Sequence, residues 1–128
     1  MNNKAVLDSS ALLAFINQEN GSELVEGYLP NAIMSSVNIA EVVAVLSLVD
    51  MPEDIIINII NDLGIEVISF DQEQAIQTGF LRNKTKAAGL SLGDRACINL
   101  ATIKNLNVVT ADKIWSTLDL TNNIVLIR

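Results

Sequence analysis

The chain reads as a single α/β domain spanning residues 1–128. Three observations predict this class. Short β-rich runs alternate with longer helical patterns, no repeat, linker or low-complexity tract interrupts the alternation, and 128 residues are enough for one sizeable core.

The elements follow in chain order. A first strand is expected near Ala5 to Leu7, an apolar run that Asp8 ends, and Ser9 or Ser10 then caps a helix from Ser10 to Asn17. Ser22 to Leu29 reads as a second helix, followed by a strand near Ile33 to Met34. Ser36 is a cap for a helix over Val37 to Val49, while Pro52 suits the first turn of a helix that runs to Leu63 and stops at Gly64. A strand near Glu66 to Phe70 leads to Asp71, which caps a helix through about Lys86. Gly93 or Asp94 opens a helix to Lys104; then come a strand near Val108 to Thr110, a short helix over Lys113 to Leu118 and a last strand over Ile124 to Ile127. The stretches Val42 to Val49 and Ile55 to Ile60 are expected to be chiefly core, as are Phe15, Tyr28, Phe70, Phe80 and Trp115, the last with a subunit interface as its other reading.

Composition prunes the functions. Half the residues are hydrophobic, at the upper end for one soluble domain, which hints at apolar surface covered by a second copy or a partner. The single cysteine, Cys97, falls in an apolar helical pattern and reads as packing, so folding requires no oxidising compartment and a cytoplasmic location is expected. No apolar run approaches membrane-spanning length, and Asp8, Ser9 and Ser10 break any signal-peptide pattern after Lys4. A net charge of −7 argues against a broad electrostatic grip on nucleic acid. The absence of histidine removes Ser-His-Asp and Cys-His machinery and histidine-ligated zinc.

Four acids stand inside or at the end of apolar runs: Asp8, Glu41, Asp94 and Asp112. An ionised carboxylate buried without a partner costs several kcal/mol, so acids so placed should be paired, metal-bound or functional. Asp8 and Asp112 fall at or just past the carboxyl ends of expected strands, the edge where ligand sites form in open parallel sheets. Asp94 lies at a helix start, and the helix carrying Glu41 can aim it at the same edge. Unit charges about 4 Å apart repel by roughly 4 kcal/mol per pair at an effective dielectric of about 20, so convergence calls for a cation. All-oxygen ligands select Mg²⁺ or Mn²⁺, ions suited to hydrolysis of phosphate esters.

The segments Val6-Leu-Asp8-Ser-Ser-Ala-Leu-Leu-Ala14, Asn38-Ile-Ala-Glu41-Val, Leu90-Ser-Leu-Gly-Asp94-Arg-Ala and Val108-Val-Thr-Ala-Asp112 occur in the order and approximate spacing of a PIN-domain protein, and the whole chain resembles a VapC-type toxin. The resemblance implies a three-layer α/β/α sandwich around a mainly parallel sheet, and a Mg²⁺-dependent endoribonuclease, with Mn²⁺ as a substitute, that is held in check by a cognate antitoxin. It implies a homodimer and cleavage products with 5′-phosphate and 3′-hydroxyl ends. Asp8 and Asp94 match the family's principal metal ligands, and Glu41 and Asp112 its other two catalytic acids. Thr110 and Ser10 match supporting residues that orient carboxylates or waters. Helices in the Val42 to Ile60 region match those that receive the antitoxin and a second toxin subunit.

Ordinary readings stand beside these. Asp8 suits a helix cap, Glu41 a lysine pair, Asp94 an N-cap and Asp112 a turn, yet all four together favour function. Arg95 reads as an ordinary helix arginine or an RNA contact; Arg82, Lys84 and Lys86 read equally as a phosphate contact or a solvated helix end that complements the dipole. Two other functions are open. A phosphatase would use Asp8 as covalent nucleophile, although Ser10 stands where its second acid belongs, and an inactive PIN module would only bind a partner or RNA.

Overall fold

A computed structural model of the chain describes residues 4–120 and 122–128. Five short strands, β1 (Ala5–Leu7), β2 (Ala32–Ser35), β3 (Glu66–Ile68), β4 (Asn107–Thr110) and β5 (Ile124–Leu126), form one sheet in the order β3-β2-β1-β4-β5. Every pairing is parallel, with Val6 beside Ile33 on one side and Val108 on the other. Among the described residues six α-helices connect them: α1 (Ser9–Ile16), α2 (Ser22–Tyr28), α3 (Ser36–Leu48), α4 (Glu53–Leu63), α5 (Gln72–Lys84) and α6 (Leu92–Lys104).

The side-chain alternation of the strands divides the core in two. Ala5, Leu7, Ala32, Met34 and Val109 face helices α1 to α4, where Leu12, Val25, Val42, Leu46 and Ile56 complete the packing. Val6, Ile33 and Val108 face the other way, onto Cys97, Ile98, Leu100 and Ala101 of α6 and onto Trp115. The architecture is thus the expected three-layer α/β/α sandwich. β1 is central and buried on both faces, which is why its three residues are all apolar and none alternates with a polar one. Among the described residues, no helix is long and apolar enough to cross a membrane.

Several boundaries differ from those expected, mostly because a cap lies one residue earlier. Asp8, not Ser9 or Ser10, caps α1; Ser35, not Ser36, caps α3; and Ser91 caps α6 through a capping box with Asp94. β3 stops at Ile68, because the Phe70 amide is taken by Ser36 Oγ. α5 ends at Lys84 rather than Lys86, and Lys86–Ala88 forms a 3₁₀ turn closed by Gly89 in the left-handed region. Residues Lys113–Thr117 are likewise 3₁₀.

Two core expectations fail. In the α3–α4 hairpin only Val42, Leu46 and Ile56 are buried among the apolar side chains, while Leu48, Val49 and Ile57 are 81%, 69% and 58% exposed. The two helices are too apolar to hide every face against one side of the sheet, so part of the surplus turns outward. Phe80 is also exposed, on the outer side of α5, whereas Trp115 is fully buried as a core anchor.

Candidate functional site

Because every strand is parallel, their carboxyl ends share one edge, and β1 delivers Asp8 to the middle of it. The Asp8 backbone continues the sheet, its amide donating to Val109 O at 3.1 Å. Its side chain then turns to cap α1: Oδ1 accepts from the Ala11 amide at 2.8 Å. Helix caps are usually wet, yet this one is only 3% exposed.

Two hydroxyls complete its surroundings. Ser10 Oγ lies 2.7 and 2.9 Å from the two Asp8 oxygens, and Thr110 Oγ1 donates to Oδ2 at 2.6 Å. Each hydroxyl is aimed by a backbone amide at the end of β4, Ser10 Oγ by Ala111 N and Thr110 Oγ1 by Asp112 N, both at 3.0 Å. An amide that donates to a hydroxyl oxygen leaves that hydroxyl's proton for the carboxylate. Thr110 and Ser10 therefore both hold the Asp8 carboxylate by hydrogen bonds.

The Asp8 carboxyl is pushed up to about 6, chiefly by burial, against the lowering effect of Thr110, Ala11 and Ser10; repulsion from Asp94 adds to the rise. Neutral donors satisfy its oxygens without balancing its charge. Among the described residues, none of the four acids is in an ion pair; the pair present is Arg128 with Glu19, on the surface. The expected reading of Glu41 as a lysine partner is thus replaced by a hydrogen bond from Asn38 Nδ2 at 2.8 Å.

Glu41, Asp94 and Asp112 are half-buried rather than buried, a correction to the expectation that all four apolar settings hide their acids. Helical periodicity explains Glu41: Val42 and Leu46 enter the core while Glu41 points to the rim. Asp94 Oδ2 accepts from Ser91 N at 3.0 Å, and Asp112 Oδ1 caps the 3₁₀ turn at Ile114 N, also at 3.0 Å. The ordinary roles are therefore real for Asp8 and Asp112, whereas Asp94 is not the N-cap but the third helical residue of the box that Ser91 caps.

What links the acids is indirect. Cys97 is buried beside them, and its thiol is raised well above its ordinary value by burial and then by Asp8, Asp94 and Glu41. Asp112 is tied to Asp8 through Thr110. Among the described residues no group of three acidic, histidine or cysteine side chains is arranged to hold a metal ion, so convergence is less complete than the sequence suggested. The donor set nonetheless fits a hard divalent ion: it is all oxygen, without cationic partners among the described residues, and its most buried member is held by neutral donors.

Two positioning residues escaped the sequence reading. Asn38 Nδ2 also donates to Gly93 O at 3.0 Å, clamping α3 to the first turn of α6. Gly93 lets the Glu41 carboxylate lie directly against its Cα, where any Cβ would collide with that carboxylate. The available signal was the i, i+3 spacing of Asn38 and Glu41 on one helix face and a glycine immediately before Asp94.

A three-layer sandwich with a buried, neutrally solvated aspartate at the carboxyl edge of a parallel sheet defines a class of acid-centred α/β proteins. The chain belongs to the PIN family: residues 5–120 match the model of the PIN domain. It is similar to a VapC ribonuclease of Mycobacterium bovis and to ribonuclease VapC42 of Mycobacterium tuberculosis, each 30% identical over 108 residues, or 77% of this chain and 82% of the relative. Its fold is that of a chain in a toxin-antitoxin complex from Klebsiella pneumoniae (TM-score 0.77, 17% identity, 98% of both chains) and of one in DNA-bound VapBC from Salmonella typhimurium (0.72, 18%, 98% of both).

Proposed function

We propose that the chain is the ribonuclease toxin of a toxin-antitoxin pair and hydrolyses RNA phosphodiester bonds with Mg²⁺, for which Mn²⁺ substitutes. Membership of the PIN family and the VapC relatives support the ribonuclease class. The observation that carries the chemistry is Asp8, a carboxylate buried at a sheet edge with no balancing charge among the described residues.

Asp8 and Asp94 would hold the ion in this reading, and Glu41 and Asp112 would complete its surroundings. A bound divalent ion supplies Lewis acidity and neutralises charge developing on the phosphate. The chain's own residues do the rest. Ser10, Thr110 and the Ala11 amide fix the Asp8 carboxylate in one orientation, so no side-chain ordering is left for the moment of reaction. Asn38 orients Glu41 through Oε1, which leaves Oε2 to take the proton of an attacking water, with Asp112 positioning that water for in-line displacement. The products carry 5′-phosphate and 3′-hydroxyl ends.

The protein acts in the cytoplasm as a homodimer, its partner is an antitoxin, and the apolar α3–α4 hairpin receives it. The phosphatase reading has no support at the site, since Ser10 is bound to Asp8 itself instead of offering a second acid. Total RNA incubated with the purified chain and Mg²⁺ should yield discrete 5′-phosphorylated ends that vanish with excess EDTA. Undiminished cleavage in EDTA, or in the Asp94→Asn variant, would refute the proposal.

A further inference from the structure

A polar cavity lies beside the acid edge. It measures about 360 Å³ and is lined by Arg82, Lys86, Gly89, Ser91 and Arg95, among others, with no acidic residue in its wall. The chain has only eight lysines and arginines against fifteen acids, yet three of the eight meet here. Two of them, Arg82 and Lys86, are exposed side chains at the mouth.

Arg95 is the unusual member. It is 9% exposed, its Nη1 donates to Thr78 O at 3.0 Å, and its Nε is buried with no hydrogen-bond partner. Guanidinium has five N–H donors and keeps its charge at any physiological pH. A buried cation without a counter-ion is costly, and no carboxylate among the described residues pairs with it. Its neighbour Asp94 turns away, its carboxylate engaged by the Ser91 amide.

We infer that this cavity is a subsite for a phosphate of the nucleic-acid strand, flanking the bond that is cut, with Arg95 as its buried base and Arg82 and Lys86 as its mouth. The inference rests on the reading of the chain as an RNA-cleaving enzyme. Ser91 joins the two places: it lines the cavity and its amide holds the Asp94 carboxylate, so a strand lying over the acids continues into the basic cavity within one residue's width. Phosphate fits the donor set better than a base does, because the wall offers cations and no aromatic ring. The subsite also explains how so acidic a chain holds a polyanion: its few cations are concentrated where one phosphate must be gripped.

The test uses the Asp8→Asn chain, in which cutting should be lost, labelled with ¹⁵N. Titration with inorganic phosphate should shift the Gly89 and Ser91 amides and the Arg95 Nε–H resonance saturably, and a short single-stranded RNA should shift the same set. The R82Q/K86Q double variant, altered only at exposed side chains, should weaken RNA binding about tenfold and lower the slope of log K against log salt by about 0.7 for each phosphate no longer neutralised. Unshifted resonances, or RNA affinity and salt slope unchanged in R82Q/K86Q, overturn the subsite. Saturable shifts with an acidic peptide and none with RNA also overturn it, in favour of a protein ligand. If wild-type chain cuts no RNA with Mg²⁺ while phosphate still shifts these resonances, the nuclease reading falls and the phosphate site stands.

Discussion

At the carboxyl edge of the sheet a carboxylate is buried, and on the α3–α4 hairpin large apolar side chains are exposed; Asp8 is 3% exposed while Leu48 is 81%. Each departs from the usual inside-outside rule, in opposite directions. At the edge the departure is expensive and tightly built, with three donors, the Ser10 and Thr110 hydroxyls and the Ala11 amide, fixing one side chain. On the hairpin it is loose: a cavity of about 320 Å³ lies between the helices, lined by Val43, Ile56, Ile57 and Ile60. A site for chemistry demands one geometry; a surface for a partner demands apolar area and tolerates repacking.

The contrast can be broken, most drastically at the edge. Asp94→Ala should lower Mg²⁺-dependent RNA cleavage about a thousandfold, measured by initial rates on a fluorogenic RNA, with the circular dichroism spectrum unchanged. Gly93→Ala comes next. Its Cβ meets the Glu41 carboxylate, so activity should fall roughly ten- to a hundredfold while α6 itself tolerates alanine well. Activity equal to wild type would mean that the Glu41 position is not used.

Asp8→Asn sharpens the comparison from the side of stability. Because the folded carboxyl is raised to about 6 from 3.8, its stabilising contribution is complete below pH 3.8 and is lost as pH rises through 6. Asparagine preserves the cap without the charge. The variant should therefore unfold like wild type at pH 4 but resist urea more strongly at pH 7, by about 2–3 kcal/mol in EDTA, while losing cleavage. Equal stability at both pH values would show that burial does not strain this carboxylate. The smallest effect belongs to the hairpin: replacing Leu48 and Val49 together by serine should change unfolding free energy by less than about 0.5 kcal/mol, yet reduce self-association in sedimentation velocity.

The strands and the edge they share were legible because parallel strands advertise themselves as short, uniformly apolar runs, and Ala5–Leu7 and Val108 to Val109 are such runs. Asp8 and Asp112 could be placed at that edge from their positions at two strand ends, whereas Thr110 came only from the family resemblance. Burial of the acids was less legible, since the apolar neighbours of Glu41 enter the core on one helix face while Glu41 itself faces the rim. The clamp from Asn38 to Gly93 O depends on how α3 crosses α6, which no local pattern encodes. The same is true of the basic cavity: Arg95 was visible as a residue but not as a buried one, because its exposure is set by α5 packing over α6.

Asp8 and Thr110 touch across 102 positions of chain. Their meeting has a consequence for synthesis. While the ribosome is still making the protein, the central strand has already emerged, but its carboxylate has neither hydroxyl from β4 nor the strand beside it. A nascent or truncated chain that stops short of Thr110 therefore carries an Asp8 carboxylate without its shortest hydrogen bond and a β1 paired on one side only.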